Sequence, residues 1–388
     1  MVSSKLQKVD EKMIETDFSE KTPADLEKLK SSVGRYFPFY EVKVGREGIV
    51  FFCKINEERL EEDFESLRID LSHQGYIPIL KNVSGETAIY VVPKPEKRNT
   101  PTWVNLVLLA ATIITTALTG ALLVSGKTTM WDTESLMVIL RFENLLNGFL
   151  LFSLPLLTIL GIHEMGHYYV SKMHGIKTSL PFFIPVPPIL NFNIGTFGAL
   201  ISSRDPLSNR KILFDVGIAG PLAGFIVAVP ITIYGVMTST VVPLSSISKG
   251  ELMLGSSLFF DMIYKTLLNI PTGYTLSLNP VAFAGWVGLL ITSINLIPAG
   301  QLDGGHIARA VLGEKQKYAG WFSIFILLFT GWWFFAIFIV LLLGTAHPPP
   351  LNDISPIDTK RKILFFVALL ILVLCFVLFP IYPADMLS

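Results

Sequence analysis

Apolar residues follow two different patterns along the chain. From about residue 100 onward they form six near-continuous runs, at 103–124, 149–170, 214–237, 281–298, 319–343 and 363–381. Each run is long enough, as a helix, to cross roughly 30 Å of hydrocarbon. A weaker run at 252–268 carries Asp261 and Lys265 and is read as interfacial. Residues 137–146 carry Arg141 and Glu143, and are either the start of the second span or a re-entrant piece. Before residue 100 the pattern is that of a small α/β fold. Residues 41–44 and 49–54 flank Gly45-Arg46-Glu47-Gly48, the signature of a β-hairpin turn. Leu60, Phe64, Leu67 and Leu71 share one face of a helix over 57–74, which Gly75 ends. Residues 76–80 and 87–92 read as two more strands, and the polar stretch 1–30 as a loose helix or disorder. No repeat of fixed period is evident.

Composition sharpens this division. Mean hydropathy is +0.55 and only 16% of residues are charged, so most of the chain requires lipid as its solvent. Residues 1–99 nevertheless hold 16 of the 31 basic and 18 of the 31 acidic residues. The expected fold is therefore a polytopic α-helical membrane protein of about six transmembrane helices over residues 100–388, with a small N-terminal α/β soluble domain over 1–99. The soluble part shows no nucleophile, metal cluster or phosphate loop and reads as a docking or regulatory module. A net charge of zero argues against nucleic acid as a partner, since binding it needs a basic excess. Cys53 and Cys375 lie in dissimilar surroundings and suit neither a bridge nor a metal pair. The N-terminal residues lack the apolar core of a signal peptide.

Lys94, Lys97 and Arg98 place the N-terminal domain in the cytoplasm. If the spans alternate, Lys172, Lys177, Arg204, Arg210, Lys211, Arg309, Lys315 and Lys317 are cytoplasmic too. Lys360-Arg361-Lys362 would then lie outside, unless the stretch around Gly331-Trp332-Trp333 is a re-entrant hairpin.

The chemistry concentrates in Gly161-Ile162-His163-Glu164-Met165-Gly166-His167. Histidines at i and i+4 share a helix face and can reach one Zn²⁺, while the adjacent Glu can act as base on a water at the metal. The motif ends a membrane span, where ionisable residues are costly and mark function. A zinc site needs a third protein ligand. The candidate is Asp303, in a stretch where Pro298, Gly300, Gly304 and Gly305 break the helix. Unwound backbone at membrane depth is tolerated where it lines an enclosed or wet cavity. The alternative is that Asp303 merely caps the helix over 304–312. Residues 185–188 and 193–201 form a loop that is either an edge β-hairpin able to pair with a substrate strand or an ordinary interfacial loop. His174 lies too far along the helix to share the metal, His306 reads as a helix-start residue or a supporting contact, and His347 as an interfacial loop residue.

These two motifs, His163–His167 and Asn295 with Leu302-Asp303-Gly304-Gly305, resemble the site-2 protease family of intramembrane zinc metalloproteases. Residues 209–224, through Gly220-Pro221, are similar to that family's third-span motif. The likeness is greatest to archaeal members and to the plastid branch in plants, which implies a prokaryotic cell membrane as the setting. The resemblance implies a three-helix catalytic core, with His163, His167 and Asp303 as zinc ligands and Glu164 as general base. It implies that Asn295 assists in binding substrate or the oxyanion. It also implies transmembrane proteins, embedded in the lipid bilayer, as substrates. Gly224 departs from the pattern, since many members carry Asn there, and no PDZ domain is recognisable. Gly217, Gly220 and Gly224 read as close-packing positions rather than catalytic ones. Rival functions are a membrane transporter that binds a metal in transit and an inactive homologue, neither of which needs the base Glu164.

Overall fold

The computed structural model describes residues 23–45, 48–83, 85–94, 101–127, 129–188, 194–201, 206–247 and 252–383. Residues 1–22, Arg46, Glu47, Lys97, Arg98, Asn193 and Arg204, which entered the reading of the sequence, lie outside the described residues.

The N-terminal unit runs α1 (Pro23–Tyr36), β1 (Phe39–Val44), β2 (Ile49–Cys53), α2 (Leu60–His73), β3 (Tyr76–Val83), β4 (Glu86–Pro93). Its four strands form an antiparallel sheet in the order β1-β2-β4-β3. Helix α2 buries Leu60, Phe64, Leu67 and Leu71, the face that its periodicity predicts, and Gly75 follows it with φ 82°. The unit is an αββ motif used twice. Leu29 and Val33 of α1 answer Leu67 and Leu71 of α2, and the pair Val42–Phe51 answers Leu80–Ile89, all at one offset of 38 residues. This corrects the expectation of no repeat. Core positions recur, with Glu27/Glu65 and Lys43/Lys81 among the polar ones, but most other positions differ, so the sequence pattern hides it.

The apolar region follows with α3 (Thr102–Ser125), α4 (Thr133–Ile139) and α5 (Phe142–Gly148), a π-helical turn at Phe149–Ser153, and α6 (Leu154–Met173). Next come the hairpin β5 (Phe182–Pro185) and β6 (Thr196–Leu200), α7 (Arg210–Met237), β7 (Thr240–Pro243), β8 (Leu252–Leu254), α8 (Leu258–Leu267), β9 (Tyr274–Ser277) and α9 (Pro280–Asn295). The chain closes with α10 (Asp303–Leu312), α11 (Gln316–Leu328), α12 (Trp333–Phe338) with a π-helical turn to Leu343, α13 (Thr359–Cys375) and β10 (Ile381–Pro383). Among the described residues three helices are long and apolar enough to cross a membrane: Thr102–Ser125, Phe142–Met173 and Arg210–Met237. Residues 142–148 thus begin the second span. Helix α7 is central and packs on α6, α9 and α10. Small residues permit this. A Cβ on Gly166 would meet the Ala219 carbonyl oxygen at 2.6 Å, and one on Gly285 would meet Thr232 Oγ1 at 2.5 Å.

The run at 319–343 is not one helix. It folds as α11 and α12, a hairpin that turns at Thr330–Gly331, with arms of about 20 and 17 Å. Gly331 allows the turn to press on the chain after α13, donating its N–H to the Leu378 carbonyl at 3.0 Å. A Cβ there would meet Pro380 Cδ at 2.8 Å. The two feet of the hairpin meet at Gln316, whose amide nitrogen donates to Pro298 O at 3.0 Å and Thr345 O at 3.3 Å. The hairpin therefore returns the chain to the end it left. Arg361 then lies beside Asp215 in the first turns of α7, with Nε to Oδ1 at 2.8 Å, and His174 at the end of α6 reaches the same carboxylate. Between hairpin and α13 an extended strap carries Leu351 into the core of the N-terminal unit.

Candidate metal centre

Helix α6 presents His163 and His167 one turn apart, facing α7. The third group arrives from α9 through a break at 296–302, where Gly300 takes φ 54° and the chain re-enters helix at Asp303. The N-cap of α10 is Leu302, so Asp303 is not spent as the cap. Its carboxylate faces the histidines: Oδ2 lies 3.3 Å from His163 Nε2 and Oδ1 lies 3.3 Å from His167 Nε2. The two Nε2 atoms are 3.2 Å apart. Donors bonded at about 2.05 Å in a tetrahedron stand about 3.3 Å from one another. The two nitrogens stand at the spacing of donors on one zinc ion, each has an Asp303 oxygen at that same spacing, and neutral nitrogen with carboxylate oxygen is a donor set zinc accepts.

Neighbours hold the rings in this pose. His167 Nδ1 donates to the Val216 carbonyl at 2.7 Å, which leaves Nε2 with its lone pair for a metal. From α7, a Cβ on Gly220 would overlap the His167 imidazole, and one on Gly224 would sit 3.1 Å from His163 Cβ. The packing role expected of Gly217, Gly220 and Gly224 is observed, with ligand rings and α10 as what they pack against. Glu164 is buried at the same site, its Oε1 4.0 Å from His163 Nε2. Asn295, the last residue of α9, brings its amide nitrogen to 3.4 Å from His163 Nε2. All five residues singled out in the sequence therefore converge.

The remaining histidines do not join the triangle. His174 pairs with Asp215, with Nε2 to Oδ2 at 3.2 Å. His306 donates from Nδ1 to Leu302 O at 3.1 Å, within the first turn of α10. His347 lies in the loop after α12, partly buried, with its ring tilted against that of His306 at a centroid distance of 4.1 Å. Val216 could not be singled out beforehand, since a backbone carbonyl carries no side-chain signature. Of the loop at 185–201, Pro185 ends β5 and residues 196–200 form β6, the ladder pairing Phe182 with Leu200 and Pro185 with Thr196.

Residues 151–331 match the model of peptidase family M50. That segment contains both ligand-bearing helices, and the resemblance to the site-2 proteases holds over it. The chain is homologous to plant proteins named as probable zinc metalloproteases of the chloroplast. It is 30% identical to EGY1 of Oryza sativa over 230 residues, 55% of this chain and 38% of the relative. It is 38% identical to EGY2 of Arabidopsis thaliana over 164 residues, 40% of this chain and 28% of the relative. It is 27% identical to EGY3 of Arabidopsis thaliana over 259 residues, 58% of this chain and 41% of the relative. The chain spans less than half the length of these relatives. Their names and the donor set of the M50 segment agree on zinc as the metal. These three are chloroplast proteins and lend no support to a prokaryotic setting.

Proposed function

We propose that this chain is an intramembrane zinc metalloprotease that hydrolyses peptide bonds in or near the transmembrane segments of other membrane proteins. One observation carries the reading: a zinc-sized His163–His167–Asp303 triangle beside a buried carboxylate, on a helix long and apolar enough to cross a membrane. His163, His167 and Asp303 hold the ion, and Val216 fixes the His167 tautomer. Zinc, when bound, supplies Lewis-acid activation of water and of the scissile carbonyl. Glu164 takes the proton from the attacking water and passes it to the leaving amine. Asn295, at the same depth, donates its amide to the carbonyl oxygen as charge builds there. A helical substrate must unwind first, because its carbonyls are otherwise hydrogen-bonded. Strand β6 belongs to a two-stranded sheet and has one ladder partner, β5, among the described residues, so its other edge suits an unwound substrate segment.

The same reading covers topology. Lys172, Lys177, Arg210, Lys211 and Lys360-Arg361-Lys362 gather at one end of the helices, as the Arg361–Asp215 and His174–Asp215 contacts support. The positive-inside rule assigns that end, with the N-terminal domain of residues 1–99, to the cytoplasm. Of the six spans expected, α9 and α13 serve as shorter crossings and the hairpin as a paired excursion.

The test is cleavage of a transmembrane reporter by the purified full chain in liposomes, with metal content measured alongside. Glu164→Gln keeps shape and removes the base. It should retain zinc near one equivalent and lose cleavage. Robust cleavage by this variant would refute the assignment, and zinc without cleavage in the unmodified chain would favour a metal-binding homologue.

A further inference from the structure

Helix α10 carries a metal ligand at one end and is gripped at the other. At its far end Arg210, the first residue of α7, donates from Nε to Ala310 O at 2.7 Å and from Nη2 to Val311 O at 3.0 Å. Beside it the buried guanidinium of Arg309 pairs with Asp353. Asp353 belongs to the strap, and the strap belongs as much to the N-terminal unit as to the membrane helices. On one side Leu80 of β3 donates to Leu351 O at 2.6 Å and accepts from Asp353 N–H at 3.5 Å. On the other, Leu351 and Asn352 donate to Leu207 O and Ser208 O at 2.9 and 2.8 Å, just before α7. Leu351 is buried in the N-terminal core, and the Asn352 side chain locks the turn by accepting from Ile354 and Ser355 N–H, both at 3.1 Å. Lys211 adds an ion pair to Glu61 of α2 at 2.7 Å.

The Arg309–Asp353 pair is a poor device for stability alone. Among the described residues Arg309 Nε and Asp353 Oδ1 are buried without a hydrogen-bond partner, and a buried ion pair roughly breaks even with an apolar replacement. It is a good device for fixing position. Helix α10 has ten residues, about 15 Å of stiff rod, and a metal ligand must stay within about 0.2 Å of its bonding distance.

We infer that Arg309 and Asp353 are positioning residues for the metal ligand Asp303, and that the N-terminal unit, through Leu351 and the strap, sets the position of Asp353. This rests on Asp303 as a zinc ligand and not on proteolysis. The N-terminal unit is then an integral brace of the metal centre, in contact with it across one helix.

The experiment measures zinc loss from the full chain to a chelator, beside the thermal midpoint of the zinc-free protein and, at saturating zinc, the rate on a transmembrane reporter. Asp353→Asn should speed zinc loss about 10-fold, the scale of removing a contact that orients a ligand. It should lower kcat with little change in KM. Leu351→Asp, which touches neither the pair nor the metal, should speed zinc loss in the same way. Arg309→Met with Asp353→Leu should lose zinc faster while its zinc-free midpoint holds or rises. The exchange Arg309→Asp with Asp353→Arg should restore retention to within about 3-fold, which a purely structural role for either side chain would not require. Wild-type zinc retention in both Asp353→Asn and Leu351→Asp overturns the inference. So does faster loss accompanied in every variant by an equal fall in the zinc-free midpoint. Zinc loss that follows the strap while no variant, nor the unmodified chain, cuts the reporter would support the brace and defeat the proteolytic reading.

Discussion

Gly220 and Gly224 face the two imidazoles from α7, and their tolerances differ. An added methyl at Gly220 lands on the His167 ring, and α7 cannot shift to make room without breaking its contacts to α10 at Gly217 and to α9 at Gly235. Gly220→Ala should therefore cost as much zinc as His167→Ala, whereas Gly224→Ala, at 3.1 Å from His163 Cβ, asks for a shift of tenths of an ångström and should keep most of it. Metal analysis of the purified variants distinguishes them, and equal zinc in both would mean the rings seat elsewhere. Asn295→Ala should keep its zinc and slow cleavage by about 10²-fold, the scale of a lost oxyanion donor. An unchanged rate would leave Asn295 as a packing residue. The metal site was legible at this scale because its chemistry dictates spacing. One helix turn separates His163 from His167, and with that pair present a carboxylate beside broken helix points to a third ligand rather than a cap. What was not legible is whatever acts through backbone, such as Val216, or through partners far apart in sequence, such as Arg309 and Asp353.

Among the elements, the hairpin of α11 and α12 departs most from what the apolar run announced. Apolarity reports the solvent and is silent about direction, so a pair of short helices and a single long one look alike until a turn is placed. Gly331 marks that turn, yet glycine is equally common inside membrane helices. The αββ repeat stayed hidden for a related reason, since its two copies agree at few positions and those are scattered along the chain. Gln316 is the fastening of the hairpin. Wholly buried, it serves the Pro298 and Thr345 carbonyls and accepts from His347 N–H at 2.9 Å. Gln316→Leu strands the Pro298 carbonyl and the His347 amide, and should lower stability by about 3 kcal/mol. Thermal unfolding in detergent would show it as a clear drop in midpoint, and an unshifted midpoint would mean that water replaces the side chain.

For the whole molecule, the hairpin fixes which ends lie together. Met173 and Lys360 are exposed at the end that holds the N-terminal unit, and Thr240 is exposed at the other end of α7. Single cysteines at Met173 and Lys360 should react with an impermeant reagent from the same side, in inside-out vesicles, and one at Thr240 from the opposite side. The native Cys53 will not interfere, because it is buried and burial pushes its thiol up to about 12. Labelling of the Lys360 position from the side of Thr240 would make α11 and α12 one crossing and would break the proposed topology. The short arms have a further consequence for the surrounding lipid. Helix α3 is about 36 Å long, while α11 and the apolar part of α13, residues 363–375, are each about 20 Å. A bilayer of even thickness cannot suit both. It must taper across the protein or the protein must lean, at a cost of fractions of a kcal/mol for each ångström of mismatch. If the hairpin flank thins the bilayer beside it, activity in vesicles should rise as acyl chains shorten, and a rate indifferent to chain length would mean that the protein leans instead.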